Sequence, residues 1–399
     1  MSEDTYVSSA VNDFALTARP AARKPLYLPT RSEWHAQDEV RKEALTITGA
    51  SSPWVQLPVM GVPGTVVVLG ARGRLGFACV QAFAQAGWKV LAHVRQGSAL
   101  VQTSFAGKLG AGMVRWTDVS MEHPQGWADL QAECGAIDVV VNAMAPRFST
   151  KAWEADLRAL NRSGIQVAKH CAALLVVPLS IVALGEQLPP VVYENAPLPL
   201  QHRIRTRIGF LRAQTELDLR MAAEAGQRIC TLRTGAFYGH PGDGWLSGAV
   251  LKSLPKGCMT WLGPYDVATP WVYIHDLAQA IERLACQRQQ LGNWTRLHFA
   301  GHHVSGDQWR EAISRIASQH GWLRSPNDLR AGRVHWALWK PLAWFSPRVD
   351  ALCEMEYVWR TPHQLDNQRL QALIGHEPRT EWLQSVAQAM KLMFTAPAT

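Results

Sequence analysis

From Thr65 onward the chain alternates short apolar runs with longer stretches whose apolar positions recur at helical spacing. Fully apolar runs of five or six residues separated by amphipathic helices predict a parallel sheet covered on both faces, an α/β doubly wound architecture. Strands are expected over Thr65–Leu69, Lys89–Val94, Met113–Trp116, Ile137–Asn142, Leu174–Val182 and Arg228–Arg233. Helices are expected over Leu75–Ala86, Gly126–Cys134, Ala152–Ala173 and Gly209–Ala225. After Gly239 the regularity loosens into short strands, a helix over Asp276–Gln287, another near Ser305–His320, and a Trp-rich stretch from His335 to Phe345. Pro341 and Pro347 interrupt that stretch, which argues for a core or pocket wall over a helix lying on a membrane.

The first strand runs into Gly70-Ala71-Arg72-Gly73-Arg74-Leu75-Gly76 and then into a helix. Glycines there let the backbone approach a pyrophosphate closely, and the free N–H groups of the following helix supply hydrogen bonds. The strand, turn, helix and next strand on schedule predict a dinucleotide site of the Rossmann type. An acidic residue at the end of the second strand would select NAD, whereas this strand ends His93-Val94-Arg95. With Arg72 as a second cation, the expected cofactor is NADP in preference to NAD, because guanidinium pairs bidentately with a 2'-phosphate. Asp118 and Val119 follow the third strand and would meet the adenine; Asn142, Ala143 and Met144 follow the fourth and would line the cofactor.

Composition narrows the setting. Apolar residues make up 47% and charged residues 18% of 399, the balance of a folded chain. The seven cysteines stand singly, without a C-x-x-C pair, and no histidine cluster has ligand spacing, so neither a disulfide framework nor a metal site is expected. The N-terminus lacks the pattern of a secretory signal and no stretch has the length of a membrane span, so a cytoplasmic protein without a membrane partner is expected. A net charge of +8 is spread without a dense basic tract. That favours an anionic small molecule over nucleic acid, and a homodimer is possible. Residues 1–60 carry Pro20, Pro25, Pro29, Pro53 and Pro58 and no sustained periodicity, which predicts an extension with one short helix near Glu33–Ala44. The nucleotide-binding domain would then occupy 61–240 and a substrate-binding region 241–399, with 270–288 packing back on the first.

The three-residue spacing of Gly70, Gly73 and Gly76 resembles the extended short-chain dehydrogenase/reductase family, which includes the NAD-dependent epimerases and dehydratases. Leu232-Arg233-Thr234-Gly235-Ala236-Phe237-Tyr238-Gly239 resembles its R-P-G-x-x-Y-G segment, and Trp271-Val272-Tyr273-Ile274-His275-Asp276-Leu277-Ala278 its V-H-V-x-D-x-A segment. The resemblance spans about residues 65 to 390. It implies a catalytic serine, for which Ser180 matches, and a Y-x-x-x-K pair opening a helix. Counting back from Glu216, the lysine position holds Arg212 and the tyrosine position holds Ile208, and no Y-x-x-x-K occurs elsewhere. Isoleucine has no proton to give and an arginine stays charged.

Two readings follow. One is an NADP-dependent oxidoreductase or epimerase-like enzyme acting on a small, anionic metabolite through Ser180, Arg212 and a substitute acid, for which Tyr193, Tyr238 and His202 are candidates. The other is a noncatalytic dinucleotide-binding scaffold or redox-sensing subunit. The run His202-Arg203-Ile204-Arg205-Thr206-Arg207 would present cations to an anionic group beside the site.

Overall fold

A computed structural model describes residues 62–95, 113–240 and 245–395; the extension expected over 1–60, with its helix, lies outside them. Seven parallel strands form the main sheet: β1 (Thr65–Leu69), β2 (Lys89–His93), β3 (Met113–Thr117), β4 (Val139–Asn142), β5 (Leu174–Ser180), β6 (Ile229–Thr234) and β7 (Trp294–Phe299). Their order across the sheet is β3-β2-β1-β4-β5-β6-β7. Chain order reverses between β1 and β4, so a crevice opens beyond the C-terminal ends of the central strands. All five side chains of β1 are buried, as an apolar run covered on both faces requires.

Helices α1 (Arg74–Gln85), α2 (Pro124–Cys134), α3 (Thr150–His170), α4 (Arg207–Glu224) and α5 (Ile274–Cys286) cover the two faces. Leu75 and Phe83 of α1 and Leu277 and Ile281 of α5 share one core with Val66 and Val68 of β1. Trp127 of α2, Val167 of α3 and Leu219 of α4 pack on Val67 and Leu69 from the other side. The expected strands and helices are found with ends shifted by a few residues. Strand β5 stops at Ser180, short of Val182, because that hydroxyl accepts a hydrogen bond from Val182 N and starts a 3₁₀ turn over Ile181–Leu184.

A second core is built mainly from indoles. Ala236–Tyr238, Ala268–Tyr273 and His302–Ser305 form a three-stranded sheet against α6 (Gly306–Gln319), and Trp261, Trp271, Trp309, Trp322 and Trp359 are buried there. The Trp-rich stretch forms α7 (Trp336–Ala343), and it corrects part of the expectation. Trp336 is buried, its ring N–H donating to Leu262 O at 3.1 Å, and Trp339 is half-buried. Leu338, Leu342, Trp344 and Phe345 instead face solvent, because only one side of this short helix meets the core.

Between β5, β6, β7 and α4 lies a buried ionic knot. Arg233 is fully buried and donates to both carboxylate oxygens of Glu216, at 2.6 and 3.0 Å, while Arg296 reaches the same carboxylate at 3.4 Å. His298, in register with Arg233 on β7, has its pKa pushed down to about 3 by burial and by Arg233 and Arg296. Glu216 thus has a structural role that its place in the α4 motif did not reveal. Removing one partner of a buried pair strands the other charge, which costs about 3–5 kcal/mol. Arg233→Met should therefore lower the unfolding free energy by about 3 kcal/mol in urea titrations, and adding Glu216→Gln should restore part of it. An unchanged midpoint in the single variant would refute this account.

Candidate functional site

The turn after β1 has little steric freedom. Gly70 adopts φ +75°, and a Cβ there would lie 3.0 Å from the Met144 backbone. A Cβ on Gly76 would lie 2.1 Å from the Gly70 carbonyl oxygen, so α1 can approach β1 this closely only with glycine at that position. Gly73 is the N-cap of α1 and carries no side chain to satisfy the first turn, which also contains no acidic residue. Phe77 N donates to Gly73 O at 2.8 Å and closes the turn. The first-turn N–H groups ahead of Phe77 have no acceptor within the helix, the arrangement that binds an anion.

Beside this helix end lies a groove of about 180 Å³ lined by Gly70, Arg72, Gly73, His93, Val94 and Arg95. Arg72 and Arg95 are exposed and make no hydrogen bond or ion pair with another described residue. His93 is buried at the end of β2, with its Nε2 2.8 Å from Val119 O, and desolvation lowers its pKa. The ring N–H therefore serves as a structural tie between the ends of β2 and β3. Asp118 and Val119 are half-buried at the next strand end. Asn142, at the end of β4, donates to Leu160 O and Asn161 Oδ1 at 3.4 Å and accepts from Met144 N at 3.2 Å, so it holds the Ala143–Met144 backbone against the turn. Every residue expected to touch the cofactor, including Arg74 and Leu75 on the first turn of α1, thus lies along one edge formed by the ends of β1 to β4.

The residues expected to do chemistry are not gathered in the same way. Ser180 is half-buried at the end of β5, in register with Thr234; its oxygen accepts from Val182 N at 3.3 Å, which leaves the hydroxyl proton free to donate. Arg212 lies on the face of α4 that also carries Ile208 and Glu216, one turn closer to the strand ends than Glu216. Its guanidinium has no partner among the described residues, and burial lowers its pKa to about 10. Tyr193 is 58% exposed in its loop, and His202 is exposed. Tyr238 belongs to the second core, bonded to His302 Nδ1 at 3.0 Å and Ser385 Oγ at 2.7 Å, and burial raises its pKa. Nothing in these positions identifies a substitute acid.

Ile208 itself is buried, and what buries it was not visible in the sequence. Helices α8 (Pro347–Glu354) and α9 (Glu356–Arg360) lie across the start of α4 and α3. Ala351 and Val358 pack with Ile208, Trp153, Leu157 and Val182. Glu354 accepts from Ile208 N at 3.2 Å and so supplies the cap that Thr206 does not. Arg207 is ion-paired with Asp350, Glu154 and Glu354. That corrects the expectation for the 202–207 run, since Arg207, though exposed, is neutralised by the protein's own carboxylates; Arg203 and Arg205 are also exposed. Tyr357 of α9 brings a phenol into this region and donates to Val182 O at 3.1 Å. No motif marks it, and only the packing of α9 reveals it.

Overpacking a filled core costs about 1–3 kcal/mol. Ile208→Tyr, which would restore the phenol of the resembled motif, should therefore lower the thermal midpoint by several degrees. A midpoint unchanged from wild type would mean that the position is open.

No family model matches the chain, and no curated protein matches it by sequence. Solved structures do. The terminal R domain from the myxalamid PKS-NRPS biosynthetic pathway superimposes with a TM-score of 0.61 at 16% identity, over 84% of this chain and 91% of that one. The UDP-Glc/GlcNAc 4-epimerase from Campylobacter jejuni gives 0.59 at 16% identity, over 83% and 99%. The dTDP-glucose 4,6-dehydratase from Bacillus anthracis, solved in complex with NAD, gives 0.57 at 12% identity, over 83% and 96%. At these identities the likeness is one of fold, and the fold is the one expected from the glycine spacing.

Proposed function

We propose that the chain binds NADP(H) along the ends of β1 to β4 and acts as an atypical oxidoreductase or epimerase-like enzyme on a small anionic metabolite. The observation that carries this reading is the groove in which Arg72 and Arg95, two arginines without a partner among the described residues, flank the glycine turn and the open end of α1. The residues fit the cofactor. Glycines at 70, 73 and 76 leave room for a pyrophosphate, the first-turn N–H groups would bind it, and the two guanidiniums suit a 2'-phosphate. Asp118 and Val119 would meet the adenine, and Asn142, Ala143 and Met144 would wall the ribose and nicotinamide side. When bound, the nicotinamide supplies a hydride donor or acceptor.

On the substrate side, Arg212 would hold an anionic or carbonyl oxygen through its free guanidinium, and Ser180 would donate a second hydrogen bond to the same oxygen. Ile208 cannot move a proton, and the Tyr357 phenol is committed to Val182 O. The proton would therefore come from water or from a substrate group. A second reading, a dinucleotide-bound scaffold or redox sensor, is favoured by one observation: α8 and α9 build the proton-donor position into a core.

NADPH should bind more tightly than NADH in fluorescence titrations. Charge-assisted hydrogen bonds contribute about 1.5–3 kcal/mol each, so Arg72→Gln and Arg95→Gln, taken singly, should each weaken NADPH about tenfold to a hundredfold and leave NADH nearly unchanged. Equal affinities of the wild type for the two nucleotides would refute the NADP assignment. Single-turnover oxidation of bound NADPH with a panel of small oxo acids separates the two readings. Oxidation that is lost in Arg212→Ala supports the enzyme, whereas tight binding without turnover supports the scaffold.

A further inference from the structure

Helix α7 is apolar on two sides, and the protein covers one of them. Trp336 and Trp339 pack into the second core, while Leu338 and Leu342, one turn apart, face outward. The chain then turns through Trp344 and Phe345 into α8, which packs against α7. Leu338 is 71% exposed, Leu342 50%, Trp344 91% and Phe345 88%. A helix that is apolar all round normally has its second face buried by something. Four large exposed apolar side chains on α7 and the turn that follows it mark an interaction surface.

Charge indicates the occupant. Residues 324–348 carry Arg324, Arg330, Arg333, Lys340 and Arg348 against Asp328; Lys340 is paired with Glu356 at 3.0 Å, and the arginines carry the excess positive charge. Arg324 and Arg348 are exposed and make no hydrogen bond or ion pair with another described residue, and Arg348 lies three residues beyond Phe345. Size argues against a second copy of the chain. At about 200 Å² for a fully exposed aromatic side chain, the patch offers on the order of 600 Å², short of the roughly 800 Å² per partner of a stable protein interface. An exposed indole and phenyl on a turn followed closely by Arg348, unpaired among the described residues, match the depth profile of a bilayer interface, where apolar groups enter the acyl boundary and cations meet lipid phosphates.

We infer that the turn between α7 and α8 inserts Trp344 and Phe345 into the interface of an anionic lipid bilayer. Among the described residues no helix is long and apolar enough to cross a membrane, so this is attachment at the surface. It stands apart from the cofactor reading, because none of these residues lines the cofactor groove.

The test is flotation of the full chain with vesicles of phosphatidylglycerol and phosphatidylcholine, against vesicles of phosphatidylcholine alone. The wild type should float with the anionic vesicles, more weakly with the neutral ones, and less at high salt. Trp344→Ser with Phe345→Ser alters only exposed side chains and should weaken vesicle binding by about tenfold or more with an unchanged thermal midpoint. Arg348→Gln should reduce the preference for anionic lipid. The proposal is overturned if the wild type does not float with anionic vesicles or the double variant floats equally well. A wild-type dimer that the double variant converts to monomer in sedimentation equilibrium also overturns it, and assigns the patch to a second copy.

Discussion

The contact between the Gly70 carbonyl and the backbone of Gly76 governs the edge formed by the ends of β1 to β4. Because neither residue carries a Cβ, α1 starts directly on the end of β1, and its first-turn N–H groups point along the line where the strands stop. The same closeness brings Met144 against Gly70, which sets the end of β4 beside the turn. Asn142 secures that strand end to α3, and His93 ties the end of β2 to the end of β3. The groove holding Arg72 and Arg95 is thus bounded by backbone placed by packing, and the two cations line it with no ion-pair partner among the described residues. A single added methyl group at position 76 would push apart the elements that define it.

At the other end of the crevice the same parallel sheet is used differently. In a fold of this kind the start of α4 lies beside the end of β5, a natural place for a group that acts on substrate. Here α8 and α9 return from more than 140 residues away and cover it. Glu354 caps α4, Asp350 and Glu354 neutralise Arg207, and Ala351 and Val358 complete the apolar cluster around Ile208. The isoleucine is a core residue in keeping with its surroundings, not an isolated gap in an otherwise open catalytic site. Arg212, one turn along the helix, remains as a half-buried cation without a partner among the described residues. A guanidinium held in that state has donors left to offer to an anionic or polar group.

The two cores separate structural from interactive roles. The main sheet is held by aliphatic residues and by the buried Glu216–Arg233 pair, whereas the C-terminal part relies on indoles packed largely edge-on around Tyr238 and Trp309. Large flat rings let a small core bury much area, but a helix made from the same residues carries apolar groups on its outward side as well. In α7 that outward side ends in Trp344 and Phe345.

Periodicity alone determined the doubly wound sheet, its first six strands and the five helices that cover it, because an apolar run buried on both faces and a helix buried on one leave different repeats in the chain. The glycine turn was equally legible, since its geometry depends on residues that are adjacent in sequence. The seventh strand, the burial of Ile208, the cap supplied by Glu354, the phenol of Tyr357 and the exposure of Trp344 were not. Each depends on contacts between residues far apart in the chain. Tertiary structure decided them because a Trp or an Ile has the same local signature whether its neighbours cover it or leave it bare.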